Sequence, residues 1–311
     1  MNWPVTSLVL GVLVACCACQ VSPAPHELAG RKGPAVPAGA RKSTAPQLGR
    51  PETLKFTWQD VNTRKVVGRK GDTFTLDTSV KPTGLRLTIT IDGNRLAEVI
   101  DSFGYPDSWR EFSYRTEQER REKQEELGRK LKSRGFELVG EDGIRVDYSW
   151  VVAHSRRDMG PVAEGMVAAA RDAGYADSRA FSGGVTSFVQ SLEYRRPAEV
   201  RKNGRGERIN SGGVTMPLET LATRAGDCDT KALLLASILA NVRGAGILLL
   251  EGNDHVFVGL RMPPRAHDRY VRVQGIEYVL VEVSTPWPLG SIPESVMVDL
   301  ARSEFRVVRV E

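Results

Sequence analysis

Four cysteines occur in the 311 residues, and three of them, Cys16, Cys17 and Cys19, crowd together near the start. Cys228 stands alone in the remainder, within Arg224-Ala225-Gly226-Asp227-Cys228-Asp229-Thr230-Lys231, followed by the apolar run Ala232 to Leu239. The glycine-led turn predicts a helix over 228–242 with the cysteine at its start. Unpaired N–H groups and the positive end of the dipole at such a start favour a thiolate, and the amide of Cys228 itself could hold an oxyanion. A lone cysteine can also be a small buried apolar residue. The two aspartates that bracket Cys228 argue against that, because carboxylates belong at a helix start that solvent can reach. The chemistry indicated is nucleophilic attack on a carbonyl.

A thiol nucleophile needs a base within hydrogen-bond reach. Beyond residue 50 the imidazoles are His154, His255 and His267. A helix over 228–242 rises about 22 Å from the cysteine. The apolar strand Ile247 to Glu251 returns most of that distance at about 3.3 Å per residue. The turn Gly252-Asn253-Asp254 then sets His255 level with Cys228. His255 opens the strand His255 to Leu260, on the face shared with Phe257 and Gly259. His154 and His267 read as surface residues.

A third group should orient the imidazole. The run Tyr278 to Val283 holds one carboxylate, Glu282, among Val and Leu. If this strand pairs antiparallel with 255–261, Glu282 falls beside His255. A further strand within 263–275 could reverse that sense, and a strand-end glutamate facing solvent is the competing reading.

The elements around these residues follow from pattern. Residues 51–115 carry short β-like runs at Leu54 to Trp58, Thr73 to Leu76 and Leu85 to Ile91, with a turn at Asp92-Gly93-Asn94, and are expected to form a small β-rich region. Thr116-Glu117-Gln118-Glu119 resembles a capping box opening a charged helix to about Ser133, whose charge is a solvated face. Two more helices are expected over Pro161 to Asp172, with proline in the first turn, and over Gly184 to Leu192, where Val185, Phe188, Val189 and Leu192 share a face.

The order Gly226-Asp227-Cys228-Asp229 with an apolar helix, then Asp254-His255-Val256, then Tyr278 to Thr285 ending in an acid and Ser-Thr-Pro, resembles the bacterial transglutaminase-like cysteine peptidase superfamily. Phe188 to Tyr194 is similar to a segment preceding the catalytic cysteine there, and the likeness covers roughly residues 180–290. It implies an α+β, papain-like transglutaminase core over 116–311, with the nucleophile at the start of a central helix packed on an antiparallel sheet that carries the other two residues. It further implies Cys228, His255 and Glu282 as catalytic residues, Glu282 standing where aspartate is commoner. Gln190 becomes a candidate oxyanion donor by analogy, with a core or capping amide the equal alternative. The activity implied is that of a thiol peptidase or amidase acting on protein or peptide amides. A cross-linking acyltransferase and a non-catalytic binding or scaffold lipoprotein of the same fold are the alternatives. No cofactor and no metal is expected, since one cysteine with scattered histidines has no ligand spacing.

The start, Met1 to Cys19, carries an apolar run from Val5 to Ala15, too short for a stable membrane span and read as a secretory signal over 1–15. Leu13-Val14-Ala15-Cys16 resembles the bacterial lipobox, making Cys16 the lipidated residue. Residues 16–50 are rich in Pro, Ala and Gly and read as a flexible tether, reaching on the order of 30 Å. A lipid-anchored envelope protein follows, with Cys17 after the lipidated residue favouring the periplasmic face of the outer membrane. A solitary thiol in an oxidising compartment is then a feature that calls for a reason. Composition excludes a disordered chain, at 41 % hydrophobic and 26 % charged. The net charge of +5 is local: Arg31, Lys32, Arg41, Lys42 and Arg50 face only Glu27 between 20 and 50. The rest of the chain lies within one charge of neutral, so no nucleic-acid partner is expected.

Overall fold

The computed structural model describes residues 50–140, 143–203, 206–252, 255–302 and 305–310. The signal, Cys16 and all of the tether but Arg50 lie outside the described residues, as does the Asn253-Asp254 part of the expected turn. Among the described residues no helix is long and apolar enough to cross a membrane.

The fold is mixed α+β, with helices against several antiparallel sheets. It opens with β1 (Glu52–Asp60), the hairpin β2 (Val66–Lys70) and β3 (Thr73–Leu76), and β4 (Thr83–Ile91). β1 and β4 pair antiparallel from Glu52↔Ile91 to Asp60↔Thr83. Their period-two pattern buries Leu54, Phe56 and Trp58 with Leu85, Leu87, Ile89 and Ile91 on one face. Next come α1 (Gly93–Ser102), β5 (Tyr105–Pro106), α2 (Glu117–Lys132), the hairpin β6 (Phe136–Val139) and β7 (Gly143–Val146), α3 (Tyr148–Asp172) and α4 (Ser178–Ser191). The short strands β8 (Glu193–Tyr194), β9 (Val200–Lys202) and β10 (Arg208–Asn210) lead to α5 (Pro217–Thr223), β11 (Ala225–Gly226) and α6 (Cys228–Leu239). The chain finishes as β12 (Ile247–Glu251), β13 (Val256–Arg261), β14 (Tyr270–Val273), β15 (Ile276–Val281), α7 (Glu294–Ala301) and β16 (Arg306–Val310).

The main sheet runs β14-β15-β13-β12-β16, antiparallel throughout. α6 packs on β12 and β13 and is covered by α3, α4 and α5. Every residue from Thr230 to Leu239 is buried, which is the signature of a helix enclosed on all sides.

Three expectations need correction. Asp92-Gly93-Asn94 is no isolated turn: Asp92 caps α1 by accepting from Asn94 N–H at 2.9 Å, and Leu96 and Val99 bury one helical face. The helix expected from Pro161 begins at Tyr148, because the Asp147 carboxylate accepts from Trp150 N–H at 3.0 Å and Val151, Val152, Ser155 and Met159 extend the buried stripe upstream. Pro161 therefore sits inside a 25-residue helix. α4 likewise starts earlier than Gly184, capped by Asp177.

The β-rich region over 51–115 shares its core with the helices. Phe188 on α4 meets Phe56 at 5.2 Å and Trp58 at 5.1 Å between ring centroids, and the Trp58 indole N–H donates to Gly184 O at 2.9 Å.

Candidate active site

Three elements deliver the three residues. α5 ends at Arg224, whose left-handed φ of 55° turns the chain sharply into β11. A Cβ on Gly226 would lie 2.6 Å from Thr230 Cγ2, so only glycine lets β11 pass this close to the first turn of α6. Asp227 is the N-cap and Cys228 the first helical residue, partly exposed. The thiol thus sits where the helix dipole is most positive, as the sequence pattern predicts.

The sheet brings the other two. β13 and β15 pair antiparallel with Val258↔Val281, so Glu282 falls opposite Phe257, and His255, two residues further on the same face, is its diagonal neighbour. A strand does lie within 263–275, but β14 hairpins onto the far side of β15 and leaves the antiparallel sense intact. His255 Nε2 lies 2.9 Å from Glu282 Oε2. That leaves Nδ1 for the side of Cys228, whose thiol is near enough to act on the charge of the ring. Phe257 packs against the imidazole at 4.2 Å between centroids. His255 keeps 30 % of its side chain exposed while Glu282 keeps 5 %, so the carboxylate is sealed and the imidazole is open to solvent.

The protonation pattern follows from these contacts. Burial alone would lower the His255 pKa, but its interaction with Cys228 and its hydrogen bond with Glu282 outweigh that and raise it to about 10. Burial alone would raise Glu282. The charged hydrogen bond from His255, with Ser284 donating from Oγ at 2.5 Å and from N–H at 2.7 Å, instead holds it below the usual carboxylate range. The carboxylate therefore stays charged in a site closed to water, and the imidazole stays protonated between two partners.

Gln190 is not placed as an oxyanion donor would be. Its amide nitrogen donates to Glu282 O and to Trp287 O, both at 2.7 Å, which uses both N–H bonds. It anchors the main chain on either side of Ser284 and so fixes the acid. His154 lies stacked on Trp150 at 3.6 Å between centroids, and neither it nor His267 joins the triad.

Several neighbours were not singled out by sequence pattern. Lys231, one turn after Cys228, is fully buried and donates to Leu192 O at 2.7 Å. Burial lowers its pKa to about 8 against the pull of Glu282 and Asp227. Its signal was in plain sight, a lysine inside an otherwise apolar helix. Asp229 is pushed up to about 8 by burial and by a hydrogen bond shared with Asp227, and it accepts from the Tyr148 hydroxyl at 3.4 Å. Nothing in the sequence pointed to Tyr148, which lies 81 residues from Asp229.

Among the described residues no group of three or more His, Cys, Asp or Glu is arranged to hold a metal ion. Comparison with protein-family models, with curated proteins and with solved structures finds no match to this chain.

Proposed function

We propose that this chain is a transglutaminase-like thiol hydrolase with a papain-like core, acting on an amide of a protein or peptide through an acyl-enzyme. The observation that carries the reading is the buried Glu282 carboxylate at 2.9 Å from a partly exposed His255, whose imidazole pKa is raised by Cys228 at a helix start. The Cys228 thiolate attacks the carbonyl carbon, forming the S–C bond, and the Cys228 amide N–H faces the developing oxyanion. The C–N bond breaks as the His255 imidazolium gives its proton to the leaving amine. His255 then takes a proton from water, whose oxygen displaces the thiolate and releases the acid. Glu282 remains charged throughout and stabilises the imidazolium. The lipobox-like start and the tether composition support an envelope-anchored lipoprotein.

The test is the rate of Cys228 modification by iodoacetamide, followed on the Cys228 peptide by mass spectrometry. At pH 6 the native protein should react about 100-fold faster than a free thiol, and His255→Ala should remove that advantage. A slow reaction indifferent to His255 overturns the reading and leaves a folded binding module.

A further inference from the structure

The strand beside the thiol ends in a free edge. β8 pairs with β11 alone, in parallel, in a two-stranded sheet. Both its residues are exposed, Tyr194 at 49 %. Glu193 N–H donates to Arg224 O at 3.0 Å and Arg195 N–H to Gly226 O at 3.2 Å, which fixes the way the strand faces. Residues 193 and 195 aim their main-chain groups at β11, so the pleat turns the N–H and C=O of Tyr194 to the opposite side.

This edge is both anchored and aimed. Lys231 Nζ holds the carbonyl of Leu192, where β8 begins, so a residue of the nucleophile's own helix sets the strand. β11 runs directly into Asp227 and Cys228. Tyr194 lies opposite Gly226 in the register, two residues before Cys228. Two clefts elsewhere, one of about 360 Å³ lined by Ala163, Val167, Arg171 and Val242, the other bounded by Trp58, Leu85 and Tyr175, touch none of Cys228, His255 or Glu282.

We propose that this edge binds the acyl donor as an added strand: an extended polypeptide segment pairs with the main chain of Tyr194 and so carries its reacting carbonyl past Cys228. The inference rests on the thiol chemistry proposed above and names its substrate class. Main-chain pairing supplies affinity with little dependence on sequence, and alternate side chains supply selectivity. A small free amide lacks the strand and does not qualify.

The experiment uses the full chain in detergent and two electrophiles with one reactive group, acetyl-Ala-Ala-Ala vinyl sulfone and methyl vinyl sulfone. Modification of Cys228 is timed by mass spectrometry, and the ratio of the two rates is the readout. The tripeptide should react at least tenfold faster. Tyr194→Pro, which removes the edge N–H and leaves the bonds to β11, should lower that ratio about tenfold, while Tyr194→Ala should largely keep it. N-methylation of the tripeptide amides should lower the ratio on the native protein, a result that needs no variant to fold. Equal rates for the two electrophiles, or equal ratios in Tyr194→Pro and Tyr194→Ala, overturn the inference. Methyl vinyl sulfone reacting at a rate that His255→Ala does not change overturns the thiol chemistry itself, so the two failures are distinct.

Discussion

Helices α2 and α6 both open on a side-chain cap, yet they are stabilised in opposite ways. In α2, Thr116 accepts from Glu119 N–H at 3.1 Å, and the Glu119 carboxylate returns to accept from Arg115 N–H at 2.8 Å. Ion pairs follow along its surface, Glu117 with Arg120 at 2.7 Å, Glu119 with Lys123 at 2.9 Å and Glu126 with Lys130 at 2.6 Å. Only Leu127 and Leu131 are buried. α6 has no such surface. It is held by burial of every residue from Thr230 onward and carries a lysine and an aspartate, Lys231 and Asp229, that burial penalises. The first helix is assembled from many small local terms, and the second from one large non-local term that tolerates costly charges at its start. Such charges persist where function requires them and the surrounding core over-determines the structure.

That contrast can be broken at graded points. The largest effect should come from Leu235→Ala in α6, a loss of about 3–4 kcal/mol in chemical denaturation, where no single substitution on the exposed face of α2 should exceed about 1 kcal/mol. Glu282→Gln keeps the shape but removes the charge that holds the imidazolium, and should slow Cys228 modification at pH 6 about 100-fold, a loss of about 2.7 kcal/mol. If the rate is unchanged, the acid is only structural.

Asp229 gives a signed pH dependence. Its folded pKa of about 8 lies above its unfolded value, so the folded state binds the proton more tightly. Stability from this group is therefore fully present at acidic pH and declines as pH rises toward 8. Stability should fall between pH 5 and pH 8, and Asp229→Asn should flatten that fall in urea titrations at the two pH values. At the small end, Thr116→Ala should cost about 1 kcal/mol, and Glu126→Gln should cost less than that, a loss that vanishes in 1 M salt. A salt-independent loss at Glu126 would mean that α2 is held by more than its own surface.

The same contrast explains what could be read in advance. The cap and charge pattern of α2 is legible because the partners of its cap and of its ion pairs lie within four residues. The N-terminus of α6 was legible for the same reason, since Gly226, Asp227 and Cys228 are a local turn. The upstream half of α3 was missed because its only local signal, Asp147, stood in front of a mixed stretch whose buried face depends on packing against β4 and α6. The α1 turn was misread because Asp92-Gly93-Asn94 serves a hairpin and a helix cap equally, and only the burial of Leu96 and Val99 decides between them. For Gln190 the sequence leaves an oxyanion donor and a core amide as equal readings, and only the fold decides between them, by committing its amide nitrogen to two carbonyls 92 and 97 residues away.

The sequence by itself determined the chemical types and their order: a solitary thiol at a helix start, an imidazole one strand-length back, and an acid in an apolar run. Those are statements about neighbours along the chain, and short-range physics is enough for them. Only the tertiary structure decided that Glu282 is sealed against His255, that Ser284 and Gln190 fix it there, and that Lys231 sits fully buried and Asp229 partly buried within a turn of Cys228. Each of these depends on which strands pair and which faces meet. That is settled by burial of apolar surface across the whole core rather than by any local pattern.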